Sequence, residues 1–173
     1  MKPKKGQKIS TGQASVAVVC AVSGGEVILA QRVRGRWNGA AAVKFYNSLV
    51  KTLRRRYPKR SRLARWTVLE DNDPSGFKNG VARKAKKRLR IDVMEQPRRS
   101  PDLNVLDYFV WSRAQQRLRK QEKAFPEEYV EPREEFWNRL RRTLLRVNCV
   151  KAVKDMKRRT RLLHEASGGL FEE

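Results

Sequence analysis

Apolar positions along the 173-residue chain change period several times, and each change marks an element. Residues 14–23 (ASVAVVCAVS) are Val and Ala with almost no polar interruption, the pattern of a strand covered on both faces. Gly24-Gly25 breaks that run and residues 26–33 (EVILAQRV) supply a second strand, which predicts a β-hairpin. After Gly39 the period lengthens to three and four. Val43, Tyr46, Val50 and Leu53 then share one helical face until Pro58 stops the helix. A short β-rich run at 65–70 (RWTVLE) ends in the turn cluster Asp71-Asn72-Asp73-Pro74. VARKAKKRLR predicts a second helix with a basic polar face, and 91–95 (IDVME) alternates as a fourth strand. A third helix is expected from near Asn104 to Pro126. Two more follow, with apolar stripes at Phe136, Leu140, Leu144 and Val147, then at Val150, Val153, Met156, Thr160 and Leu163.

Hairpin, helix, strand, helix, strand and helices in that order predict an α/β domain with a mixed sheet flanked by helices. At this length one well-buried domain is expected, with a loose basic arm over 1–14, a core over 15–126 and a basic helical extension over 127–173. Parallel strands in such a sheet carry their carboxyl ends along one rim, where sites of open α/β sheets lie.

Charge changes the picture most. Forty-one Lys and Arg against 18 Asp and Glu give a formal net charge of +23. A small domain so self-repelling is best explained by a polyanionic partner, with nucleic acid first and an anionic membrane surface second. No stretch approaches the roughly 18 apolar residues that span a bilayer, and no secretory signal is visible. The two cysteines, Cys20 and Cys149, lack metal-ligand spacing, so a buried, reduced, intracellular pair is expected. The phosphate-facing candidates are Arg54, Arg55, Arg56, Lys84, Lys86, Lys87, Arg88, Arg98, Arg99, Lys157, Arg158 and Arg159. Each run, taken alone, reads first as a solvated face; their sum, without balancing acids, favours phosphate contact. The four tryptophans are expected as core anchors, with Trp37, in GRWNG among basic residues, the candidate for stacking on a base.

Against that background the scarce acids stand out. Only Glu26 and Glu70 precede Asp71. Asp71 falls one residue beyond the third strand, on the expected rim, and Asp107 in the first turn of the third helix, sharing a face with Trp111, Ala114 and Leu118. Two carboxylates brought together in this way repel each other unless a cation or proton lies between them. Mg²⁺ or Mn²⁺ ions in a two-metal arrangement are the usual instrument of phosphodiester chemistry. The competing reading is structural: Asp71 and Asp73 as turn formers, and Asn104 with Asp107 as a variant capping box. Spacing alone leaves both open.

LEDNDPSG followed by RRSPDLNVLDYFVW resembles the catalytic domain of the mariner superfamily of cut-and-paste DNA transposases, which are RNase H-like DDE/D enzymes. The resemblance runs from about Ser15 to Arg119 and is most specific at SPDLN. It implies an RNase H-like fold, DNA as partner, DNA cleavage and strand transfer in transposition, and a two-metal Mg²⁺ or Mn²⁺ site. Asp71 and Asp107 would be its catalytic, metal-holding acids, 35 residues lying between them (107 − 71 − 1). Asn72, Asp73 and Asn104 would orient the turn and the helix behind them. It also implies nuclear residence (or the nucleoid in a prokaryote), allows a homodimer on DNA, and involves neither a membrane nor a small-molecule substrate.

The chain departs from the family pattern in several places. The family's first catalytic aspartate lies on a strand before the hairpin, and residues 1–25 hold no acid, so the expectation is a truncated core, inactive as it stands. Ser75-Gly76 replaces a frequent His and Val105 replaces a Pro, and no helix-turn-helix domain is expected within the residues before the core. Glu70 points to the opposite side of its strand from Asp71 and is a poor substitute for the missing acid. Two alternatives remain: a non-catalytic nucleic-acid-binding remnant, and a basic scaffold of ribonucleoprotein type.

Overall fold

A computed structural model describes residues 16–60, 63–97 and 100–166. The expected arm, the end of the C-terminal segment, and Arg98 and Arg99 lie outside the described residues. Strands β1 (Val18–Ser23) and β2 (Glu26–Arg32) form the antiparallel hairpin, with an irregularity between Ala21 and Val22. Its turn needs left-handed backbone at Gly24 and Gly25, with φ of 61° and 79°. A side chain at Gly25 would also run into the backbone of Val150, whose neighbour Cys149 donates its N–H to the Gly25 carbonyl at 2.8 Å.

Helix α1 (Gly39–Arg56) starts where the Asn38 side chain accepts the Ala41 N–H at 3.0 Å, and the Asn79 side chain caps α2 (Gly80–Leu89) on Val81 in the same way. Strand β3 (Trp66–Glu70) lies between these helices in sequence and pairs in parallel with β4 (Ile91–Glu95), from Trp66 opposite Ile91 to Glu70 opposite Glu95. A 3₁₀ turn at Pro101–Leu103 and a wide π-helical turn at Leu106–Val110 lead into α3 (Trp111–Glu122), so the third helix begins in irregular geometry. Helices α4 (Arg133–Leu145) and α5 (Val150–Glu165) complete the described chain.

The hairpin is a middle layer. One face, with Val19, Ala21, Ile28 and Leu29, packs toward α1, whose Ala42, Phe45, Tyr46, Leu49, Val50 and Leu53 are buried with Trp66 and Ile91. The other face, with Cys20, Val27 and Ala30, meets Val110, Ala114, Leu144 and Val147 of the helical side. Coverage on both faces is why β1 contains no charged residue. Cys20 and Cys149 are free and buried in this second core, and desolvation pushes the Cys20 thiol up to about 12. No described helix is long and apolar enough to cross a membrane.

The strands pair as an antiparallel ladder, β1–β2, and a parallel one, β3–β4, flanked by helices as expected of the α/β domain. One expectation needs correction. Helix α5 is turned relative to its expected stripe: Val150 and Val153 are 38% and 37% exposed and Thr160 is exposed, while Ala152 and Arg159 are buried. The cause is polar. The Arg159 guanidinium lies 4.0 Å over the Tyr108 ring and pairs with Asp155 at 3.0 Å, while the Tyr108 hydroxyl donates to the Ala152 carbonyl.

Candidate functional site

The parallel pair β3–β4 ends at the rim where the acids gather. Asp71 follows the last residue of β3 and is exposed, its carboxylate accepting the Asp73 N–H at 3.1 Å in a local turn. The Asn72 amide donates to the Gln96 carbonyl at 2.6 Å, tying this loop to the end of β4. Asp73 turns inward. It accepts the Trp37 indole N–H at 2.7 Å and the backbone N–H groups of Gly76 at 2.7 Å, Phe77 at 3.2 Å and Ser75 at 3.2 Å. Burial pushes the Asp73 carboxyl up, but these donors outweigh it and hold the group below its ordinary value.

Asp107 reaches the same rim from the π-helical turn. Asn104 organises its approach: the Asn104 amide donates to the Asp107 carboxylate at 2.7 Å, and its own oxygen accepts the Leu106 N–H at 3.0 Å. Asp107 lines one cavity with Asp71, Asp73 and Asn104. Its carboxyl is raised above its ordinary value, first by desolvation and then by the negative charge of Asp71, against hydrogen bonds from Trp111 and Asn104 that lower it. The Asp71 charge is therefore felt at Asp107. Two oxygen donors of like charge lining one cavity suit a hard divalent cation. They do not complete a site: among the described residues, no group of three His, Cys, Asp or Glu could hold a metal ion.

Sequence reasoning missed a buried ionic lock directly behind Asp71. Glu70 and Lys86 of α2 are both buried and form an ion pair, and Glu70 also accepts the Tyr46 hydroxyl of α1. Lys86 donates further to the Phe77 carbonyl at 3.0 Å. An acid inside an apolar strand was the available signal, since such a group is buried only when paired. Nothing local pointed to Trp37. It is bonded to Asp73 and packed edge-on to Phe77 at 5.2 Å, so it serves as an anchor of the loop and not as a stacking platform. A side chain at position 76 would overlap the Trp37 indole, so the glycine there is what lets Trp37 pack against the loop.

The basic set divides. Arg54, Arg55, Arg56, Lys84, Lys87, Arg88, Lys157 and Arg158 are exposed. Lys86 and Arg159 are corrections: both are buried, one against Glu70 and the other against Asp155 and Tyr108, so neither carries its charge to the surface. In the Arg139–Arg142 run, Arg139 is likewise buried, held by Glu131 at 2.6 Å and Glu122 at 3.0 Å.

This arrangement, a hairpin and a parallel pair between helices with acids at one rim, defines an RNase H-like α/β domain. More particularly, it is the fold of the mariner transposase catalytic domain. The crystal structure of the catalytic domain of Mos1 mariner transposase matches with a TM-score of 0.76 at 20% identity, over 91% of this chain and 76% of that one. The Mos1 transposase catalytic domain with Raltegravir and Mg gives the same score and identity, over 91% and 77%. The Mos1 transposase paired-end complex with left transposon end matches at 0.71 and 18% identity, over 98% and 52%. No protein-family model and no curated protein sequence matches the chain.

Proposed function

We propose that this chain is a mariner-type transposase catalytic domain, that Asp71 and Asp107 are metal-holding acids for DNA phosphodiester chemistry, and that these 173 residues do not cut DNA unaided. One observation carries the reading: in a fold shared with Mos1, the two acids line one cavity close enough for the charge of Asp71 to act on Asp107. A divalent metal bound there would activate the attacking oxygen and stabilise the leaving oxygen. The chain's own part is to aim the carboxylates. Asn104 orients Asp107, Asp73 and Asn72 brace the loop of Asp71, and the Glu70–Lys86 pair fixes the strand end behind it. Mg and Mn both accompany Mos1 structures, which supports those ions as the cofactor. DNA is the proposed partner, supported by the net charge of +23 and by Mos1 complexes with transposon ends. A homodimer on DNA and residence in the nucleus belong to the same reading.

The test is Mn²⁺ binding by titration calorimetry together with nicking of supercoiled plasmid. Wild type should bind Mn²⁺ weakly, Asp71→Ala and Asp107→Ala should abolish that binding, and none of the three should nick. Nicking by the wild type that disappears in Asp71→Ala would remove the claim of inactivity. A non-catalytic DNA-binding role is the second reading, favoured by the lack of a three-acid cluster among the described residues. It predicts salt-sensitive DNA binding with no Mn²⁺ binding at all.

A further inference from the structure

Gln96 touches both of the segments that carry the acids. It follows the last residue of β4 and is buried. Pro97 restricts the residue before it to extended backbone, so Gln96 continues the line of the strand. The Gln96 N–H bonds the carbonyl of Glu70, one residue before Asp71, at 3.2 Å. Its carbonyl accepts the amide of Asn72, one residue after Asp71, at 2.6 Å. Its side-chain amide donates to the Ser100 carbonyl, at the head of the segment that leads to Asp107.

From Ser100 the bonds run on to the second acid. The Leu103 N–H bonds the Ser100 carbonyl at 3.1 Å, and the Asn104 N–H bonds that of Pro101 at 2.9 Å. The Asp107 N–H then bonds the Asn104 carbonyl at 2.9 Å, and the Asn104 amide holds the Asp107 carboxylate at 2.7 Å. Leu103, buried, anchors the 3₁₀ turn between them. Gln96 is thus the common member of two series of bonds, one to each acid.

The side chain holds this position against its own interest. Gln96 Oε1 is buried and has no hydrogen-bond partner. A buried acceptor left without a donor costs more than one ordinary hydrogen bond contributes. The Ser100 carbonyl, for its part, would keep the Leu103 N–H if the amide were gone. The Gln96 amide therefore adds little or nothing to stability. A buried polar group left unsatisfied in such a place calls for another reason, and the geometry supplies it.

We propose that Gln96 is a positioning residue, a clip that joins the loop of Asp71 to the segment of Asp107 and so sets how far apart the two carboxylates stand. Its backbone grips one side and its side-chain amide the other. That this spacing serves a cation rests on the metal reading above; the clip itself does not.

The test is Gln96→Met in the full 173-residue chain. Met has about the same length and carries neither the donor nor the unsatisfied oxygen. Three quantities are read: Tm, amide hydrogen exchange by NMR, and Mn²⁺ affinity from the electron paramagnetic resonance of the free ion. Tm should hold or rise. Exchange at Leu103, Leu106 and Asp107 should quicken while Phe45 and Leu49 in α1 stay protected. Mn²⁺ affinity should fall about tenfold or more, the usual effect of losing a group that orients a metal ligand. Asn72→Ala cuts the other arm of the clip. Arms in series fail when either is cut, so the double variant should bind Mn²⁺ no worse than the weaker single variant, whereas independent supports would add. Additive losses, or unchanged exchange at the three amides, overturn the clip, and so does a variant that matches a Mn²⁺-binding wild type. A lower Tm with faster exchange throughout the chain makes Gln96 an ordinary structural residue and overturns it too. Faster exchange at the three amides alone, with no Mn²⁺ bound even by the wild type, upholds the clip and overturns the metal reading.

Discussion

Replacing Lys86 with Met tests the ionic lock behind Asp71. Lys86 lies with its ammonium on Glu70 and on the Phe77 carbonyl, and both partners of the ion pair are buried. The Met side chain roughly fills the volume, so the loss is mainly electrostatic: a buried carboxylate left with only the Tyr46 hydroxyl for company. Breaking one side of such a pair costs about 3–5 kcal/mol. At about 2–4 °C per kcal/mol for a domain of this length, Tm should fall by about 6–20 °C. The triple variant Lys86→Met, Glu70→Leu, Tyr46→Phe removes all three polar groups together. Apolar replacement of a whole buried network is often close to neutral, so this variant should lie within about 2 kcal/mol of wild type. Urea denaturation followed by circular dichroism gives both numbers. A single-variant loss below about 1 kcal/mol, or a triple variant no more stable than the single, would refute the account of Glu70 as a charge tolerated only because it is paired.

Three further outcomes follow from the site and the surface. Asp107 is raised, so its ionised form is disfavoured in the folded chain, and stability should increase as pH falls from neutral through its raised value. Asp107→Asn should therefore raise Tm at pH 7 and flatten that dependence while abolishing Mn²⁺ binding; a Tm unchanged at every pH contradicts the penalty on the ionised Asp107, set first by desolvation and then by the charge of Asp71. Asp73 has the opposite sign. Its depressed carboxyl stabilises the fold above the ordinary value of 3.8, and that contribution disappears as pH drops through the folded-state value, so Asp73→Asn should cost about 1–3 kcal/mol at neutral pH and progressively less below pH 4. In DNA titrations against salt, Lys84→Ala or Lys87→Ala should each flatten the log–log slope by up to about 0.9 if the residue contacts a phosphate, whereas Arg159→Met should leave the slope unchanged because Arg159 is buried.

The local elements were legible because their causes are local. Val and Ala without interruption make β1 a doubly covered strand, Gly24-Gly25 turns the hairpin, and the spacing of Tyr46, Val50 and Leu53 marks the buried face of α1. Asp71 and Asp107 stood out in the sequence for the same reason: acids are scarce in this chain, and both sit where a strand ends or a helix begins. Tertiary structure alone decided which charges face water. Lys86 and Arg159 read as members of basic runs, and only the arrival of Glu70 from β3 and of Tyr108 from the π-helical turn puts them inside. The same holds for the pairing of β1–β2 and β3–β4 as two ladders, since hydrophobic periodicity reports which faces of a strand are covered and carries no information about which of its two edges has found a partner.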